Sequence, residues 1–402
     1  MLSINSKYAV GVHFYRIQIM AQYLPEFTPA LLSERLGAWK RACPELAVFA
    51  MLPESERPGI TALQQCCKEL GIPVVGAVFP ALIHGGTFHK SGILLMGFAE
   101  PPYWAIHEQL PTDAQGVEQF AQQVADSLRG HLGDPVESTL FMLFDAMVPN
   151  IATLLDAMYL KLANRVHYAG TNAGSETFAP IPCLFDGERT VENAALLLLL
   201  RPHQGAVLEH GYCTPGSSVY ATSTEGNRIS QIDWRPAFEV YQELASAQFG
   251  VEITKENFYE LAVHYPFGIL RANHHSLVRI PVQLADDGSL FCVGEIPANS
   301  VLTLMESPSV DSGQTLDQLE NGLKGLLESS ESTDLLLFYC AGRLAHIGME
   351  RAPDELHQLS DRFPQSRTFG AVSLGEIGSS SIGGYPLFHN ATLVAMPWRD
   401  IQ

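Results

Sequence analysis

The chain has 402 residues, 47% of them hydrophobic, which is enough for two or three domain-sized cores. Its 24 Lys and Arg against 43 Asp and Glu leave a formal charge of -19. That field repels phosphate backbones and anionic lipid heads, and so argues against nucleic acid and membrane surfaces as partners.

Seven cysteines, at 43, 66, 67, 183, 213, 292 and 340, are odd in number and lack C-x-x-C spacing. They fit reduced, mostly buried thiols in the cytoplasm. The opening "MLSINSKYAVGVHF" lacks the basic start and long apolar block of a secretory signal. The most apolar run, "NAALLLLL" at 193–200, is far short of the ~20 residues of a bilayer span and reads as a buried strand.

In chain order, one unit recurs three times. Near Leu46 the chain runs "LAVFAM", the helical "GITALQQCCKEL", "IPVVGAVF", a glycine-bearing loop and "ILLMGF". Near Thr139 it runs "TLFMLFDAM", "IATLLDAMYLKL", "VHYAGTNAG", a loop and "NAALLLLL". Near Asp334 it runs "DLLLFYCAG", "APDELHQLSDRF", "TFGAVSLGEIG", a loop and "ATLVAM". Each copy predicts strand, helix, strand, loop, strand.

The helices place apolar residues at helical spacing: Ile60, Leu63, Cys67 and Leu70; Ile151, Leu154, Leu155, Met158 and Leu162; Leu356, Leu359 and Phe363. Asn150 reads as an N-cap and Pro353 as a first-turn residue. The strands are continuous apolar runs, as expected where both faces are covered.

Between the second and third copies the pattern changes. Alternating residues about Glu225-Gly226 and about Asp286-Asp287-Gly288 predict two hairpins, separated by the helix of "WRPAFEVYQELASAQ". "SVLTLME" predicts another strand, and 307–313 a connector. The expected fold is α/β, with mixed sheets flanked by helices in layers and two lobes built from the repeated unit. The boundary falls near Asp233, giving domains 1–233 and 234–402.

Laid out this way, the chain resembles the FIST family (F-box and intracellular signal transduction proteins). "YAGTNAGSETF" with "CLFDG" is similar to the glycine-rich signature of its N-terminal domain, and "GNRISQIDWRPAFEVYQEL" to the passage into its C-terminal domain. "HYPFGI", "LVRIPVQLADDGSLFCVGEIP", "LLLFYCAGR", "GAVSLGEIG" and "LFHNATLV" then follow in the family's order. The likeness covers 168–396 well. Before that, "GAVFPALIHGG" lacks the acid and serines usual in the first glycine-rich loop.

The resemblance implies a prokaryotic sensory module that binds small ligands such as amino acids or their derivatives and reports to a separate signalling protein. It implies neither an enzyme activity nor a cofactor.

Candidate site residues cluster in the third copy. Glu376 stands alone among Ser373, Gly375 and Gly378, where either loop N–H groups or a ligand ammonium satisfies it. Cys340 and Arg343 end a neighbouring strand, on the edge where open α/β sheets hold ligands. Arg343 suits either a ligand carboxylate or an internal pair with Glu376, and Cys340 either a ligand contact or a small buried filler. His389 and Asn390 precede the last strand, and Asn172 and Ser175 occupy the matching loop of the second copy. Arg279 lies within a strand and faces either the cleft or the surface. Gly170, Gly174 and Gly375 are expected to serve loop geometry.

The histidines, among them His203, His210, His274 and His275, show no metal-helix spacing, and no Walker loop or G-x-S-x-G elbow occurs. The competing reading is a cysteine-dependent hydrolase or transferase with Cys340 as nucleophile, His389 as base and Glu376 as orienting acid.

Overall fold

The structure is a computed structural model that describes residues 21–133, 137–271, 276–309, 313–327, 333–379 and 384–398. The N-terminal segment, His274 and His275 lie outside the described residues.

The recurrent apolar runs become three units of the same build. The first comprises β1 (Ala21–Leu24), α1 (Pro29–Ala42), β2 (Ala47–Pro53), α2 (Ile60–Leu70), β3 (Val74–Phe79), the hairpin β4 (Leu82–His84) and β5 (Thr87–His89), and β6 (Ile93–Phe98). The second comprises β7 (Tyr103–Glu108), α3 (Ala114–Leu128), β8 (Thr139–Asp145), α4 (Ile151–Leu162), β9 (His167–Ala173), the hairpin β10 (Leu184–Asp186) and β11 (Thr190–Val191), and β12 (Ala194–Leu200).

The third unit opens with β13 (Val207–Glu209) and is then interrupted by an insertion. The insertion holds β14 (Ser218–Glu225), β15 (Arg228–Ile232), β16 (Arg235–Pro236), α5 (Ala237–Phe249), α6 (Phe258–Leu261) and β17 (Phe267–Leu270). It continues with β18 (Ser276–Arg279), β19 (Pro281–Leu284), β20 (Leu290–Cys292) and β21 (Val301–Leu304). The unit resumes with α7 (Gln314–Leu326), β22 (Asp334–Cys340), α8 (Ala341–Ile347), α9 (Ala352–Arg362), β23 (Thr368–Ser373), the hairpin β24 (Glu376–Gly378) and β25 (Leu387–His389), and β26 (Leu393–Trp398).

In each unit the two strands flanking the repeated helix are parallel, and the last strand lies antiparallel to the first: β2 with β3 and β6, β8 with β9 and β12, β22 with β23 and β26. The antiparallel hairpin of each unit leaves home. The β4–β5 hairpin extends the sheet of unit three, β24–β25 that of unit two, and β10–β11 that of unit one. The exchange is cyclic and closes on itself.

The register repeats as well. Asn172, Val78 and Val372 each donate a backbone N–H at 2.8 Å to the residue preceding the visiting hairpin, at the carbonyls of Gly375, Cys183 and Ala81. These contacts tie three sheets into one core, in which Phe141 stacks on Phe338 at 5.8 Å and meets Phe49 edge-on at 6.1 Å. Burying each such ring contributes about 1.5–3 kcal/mol before entropy is counted.

The alternating residues of the insertion form both expected hairpins, β14–β15 and β19–β20, within an eight-stranded sheet that α5 covers. The helices bury the residues their spacing picks out, except that Leu70 is half-buried and Phe363, though buried, lies just past the end of α9. One cap differs: Asn150 makes no side-chain cap, its amide donating instead to the Pro111 carbonyl. Glu295, from the insertion, accepts the Thr153 N–H at 3.0 Å and caps α4 from outside. A carboxylate there suits the positive end of the helix dipole.

Candidate functional site

The chain crosses from sheet to sheet twice at one place. β23 ends at Ser373 in the third unit's sheet, and Glu376 opens β24 in the second unit's sheet three residues later. β25 ends at His389, and Asn390, Ala391 and Thr392 carry the chain back into β26. Glu376 lies between the crossings. It is 0% exposed and accepts the Ser373 and Thr392 hydroxyls, each at 2.5 Å. Burial pushes its pKa up to about 7, although these bonds and the adjacent Cys340 thiol pull the other way.

The register shows what is unusual about this acid. Glu376 pairs with Thr171, Leu184 with Ala77 and Leu82 with Ala371, equivalent places in the three sheets. Two units put a buried leucine there; the third puts a carboxyl group.

Cys340 likewise has a counterpart. Its buried Sγ accepts the Ala391 N–H at 3.0 Å, as the Asp145 carboxylate accepts the Asn193 N–H at 2.7 Å in the second unit. Ala391 and Asn193 share a left-handed backbone, with φ of 57° and 46°. Burial, and secondarily Glu376, raise the thiol pKa.

Arg343 is 1% exposed and does not meet Glu376. Its Nε and Nη2 grip both oxygens of Glu355, and Nη1 donates to the His210 carbonyl at 2.8 Å. Tyr339 donates to the same carboxylate at 2.7 Å, so the pair is enclosed and its donors are used internally.

His389 lies directly across from Glu376 in the β24–β25 ladder. Burial holds its pKa well below the ordinary imidazole value, against a smaller opposing pull from the Gly378 backbone. Asn390 Nδ2 donates to the Val293 and Val278 carbonyls at 2.9 and 3.2 Å, pinning the insertion to the return crossing.

In the second unit, Ser175 donates to Glu54 at 2.8 Å, and the buried Asn172 amide finds no partner among the described residues. Gly375 (φ 137°) and Gly174 (φ 148°) hold backbone that other residues rarely adopt; a Cβ at Gly375 would lie 2.6 Å from Phe388. Gly170 is a matter of space alone, since a Cβ there would meet the Met142 carbonyl at 2.2 Å.

At the carboxyl ends of β22 and β23 lies a cavity of about 560 Å³. Its floor is Val372, Leu374, Cys340 and the first turns of α8. Ile280, Pro281 and Val293 of the insertion face them, and Pro80, Ala81 and Phe88 come from the first unit. The walls are predominantly apolar. Asn390 and Cys340 are the sequence candidates that reach it; Glu376, Arg343, His389, Asn172, Ser175 and Arg279 do not line it.

The polar groups at its edge that sequence reasoning missed are Lys90 and Glu176, paired at 2.7 Å. Counting from the strand ends finds both: Lys90 follows β5 as Asn390 follows β25, and Glu176 follows β9 by the same three residues as Glu376 follows β23, although the register equivalent of Glu376 is Leu184. Phe178, Tyr259, Val282 and Met349 are exposed at the same cavity.

Two family models match: the FIST N domain over residues 46–235 and the FIST C domain over 237–379. Together they cover most of the chain, which therefore belongs to the FIST family, a family of sensory domains associated with signal transduction and not a known enzyme family. No curated protein matches the chain. Among the described residues no helix is long and apolar enough to cross a membrane, and no three metal-ligating side chains cluster.

Proposed function

We propose that the chain is a cytoplasmic sensory protein whose cavity takes one small, mainly apolar metabolite, an amino acid or a relative of one, and reports to a separate signalling protein. The observation that carries this reading is the cavity itself. Its volume of about 560 Å³ falls within the range of small-molecule sites, and its apolar walls with a few polar groups are their usual composition.

The apolar part of the ligand fills the space over Val372 and Leu374. Lys90 and Glu176, whose exposed pair is of little worth to stability, exchange each other for a carboxylate and an ammonium. Asn390 and Cys340 touch the ligand from the floor. Glu376, Arg343 and His389 act one layer below it: Glu376 fastens the crossings that carry Leu374 and Asn390, and Arg343 fixes α8 to α9 through Glu355. Arg279, Asn172 and Ser175 support the surrounding backbone.

The thiol-enzyme alternative draws no support from this geometry. The Cys340 sulfur accepts a backbone N–H, its pKa is raised, and no hydrogen bond joins it to His389.

A thermal-shift panel of the standard amino acids and their apolar derivatives tests the proposal. A true ligand at 100 times its dissociation constant adds about 2.7 kcal/mol and raises Tm in a saturable way. A panel that leaves Tm unchanged throughout contradicts it.

A further inference from the structure

A second, smaller pocket lies on the other side of the β18 strand. Ile280 faces the large cavity, while its neighbour Arg279 lines a pocket of about 70 Å³ between the insertion, the first turns of α4 and β25. Arg279 is 2% exposed, yet it makes no ion pair among the described residues. Nε donates to the Glu295 carbonyl at 2.9 Å, and Nη1 to the Val278 and Phe388 carbonyls at 2.9 and 3.1 Å. Nη2 has no acceptor among the described residues.

Arg271 lines the same pocket, is exposed, and makes no ion pair among the described residues. The two acids in the wall are already engaged: Glu295 caps α4 through Thr153, and Asp156 accepts the Tyr385 hydroxyl at 2.7 Å. The pocket thus brings two guanidiniums and two carboxylates together, but both acids are committed to protein donors while Arg279 Nη2 has no acceptor and Arg271 no ion pair among the described residues. Burial lowers the Arg279 pKa to about 10; Cys292 and Glu295 offset part of this, and the neighbouring Arg271 adds a smaller lowering.

A buried guanidinium with a free N–H edge and a second cation beside it is a receptor for a planar or tetrahedral oxyanion. The volume holds one such group and little more. We infer that Arg279 and Arg271 form a second binding site, distinct from the large cavity, for a single small oxyanion: a carboxylate or a phosphoryl group.

Sodium phosphate and sodium acetate are titrated separately into the full chain at constant ionic strength, with Tm and isothermal calorimetry as readouts. The expected result is a saturable rise in Tm with at least one of them; which one responds distinguishes the phosphoryl from the carboxylate source. Arg271→Ala, at an exposed position, should keep the unliganded Tm and weaken that binding about tenfold or more. Arg279→Lys retains charge without the flat edge and should also lose it. Ala345→Trp, in the large cavity, should leave it intact. A shift that is not saturable with either anion, or that is equal in Arg271→Ala, overturns the inference.

Discussion

The Glu376 carboxyl accepts the Thr392 hydroxyl at 2.5 Å across the gap between two sheets. With Ser373 on its other oxygen, it ties the outgoing crossing to the returning one. The equivalent leucines, Leu82 and Leu184, show that the core at this place tolerates an apolar residue, so the acid serves the third unit alone.

This acid gives stability a defined pH dependence. A folded pKa near 7 against an ordinary 4.5 means that the folded state holds a proton the unfolded state releases. The contribution is therefore complete below 4.5 and lost as pH rises through about 7, a loss of about 3 kcal/mol in order of magnitude. Glu376→Gln should abolish this fall, measured as urea-unfolding free energy at several pH values across that window.

His264 and His346 should bend the profile the opposite way. Their Nδ1 atoms meet at 2.7 Å, joining the loop after α6 to α8, and one hydrogen is shared between them. Burial lowers both pKa values below 6.5, so their contribution is present above 6.5 and is lost as pH falls through the folded values. His346→Gln should flatten the acid limb that remains in the Glu376→Gln background, followed by the same unfolding measurement.

Arg343 and Glu355 should behave as a structural pair. Removing one partner leaves an uncompensated buried charge, so Arg343→Met or Glu355→Gln should cost about 3–5 kcal/mol. The double variant Arg343→Met/Glu355→Leu should recover part of that loss. Denaturant titration of the four proteins checks it.

Cys340 should resist alkylation. Its thiol is buried and its pKa raised, whereas Cys213 is exposed. Iodoacetamide near neutral pH should label Cys213 in the folded protein and leave Cys340 unmodified until denaturant is added, as read by peptide mass spectrometry. Rapid labelling of native Cys340 would revive the thiol-enzyme reading.

The repeated units were readable because each rests on apolar runs of six or seven residues about an amphipathic helix, signals that survive without tertiary context. Their joining was not. The visiting hairpins are strands of two or three residues, such as Thr190–Val191 and Glu376–Gly378, too short for any periodicity. For the same reason Glu376, read in sequence as the end of one strand, proves to be the start of another. Arg343 was recognised as an anion-seeking group, but its partner Glu355 sits one helix later, in a segment whose own pattern announces only an amphipathic helix. The cavity draws walls from all three units and the insertion, so no single motif outlines it.

Ala345→Trp is the sharpest test of whether this cavity holds a small metabolite. Ala345 is exposed on α8 and lines the cavity, so the indole obstructs the space without disturbing the core. The measurement is the thermal shift of wild type and variant against the same panel of amino acids and apolar derivatives. At least one compound should stabilise the wild type and leave Ala345→Trp unmoved at an unchanged baseline Tm. Equal shifts in both proteins, or none in the wild type, would contradict the proposal.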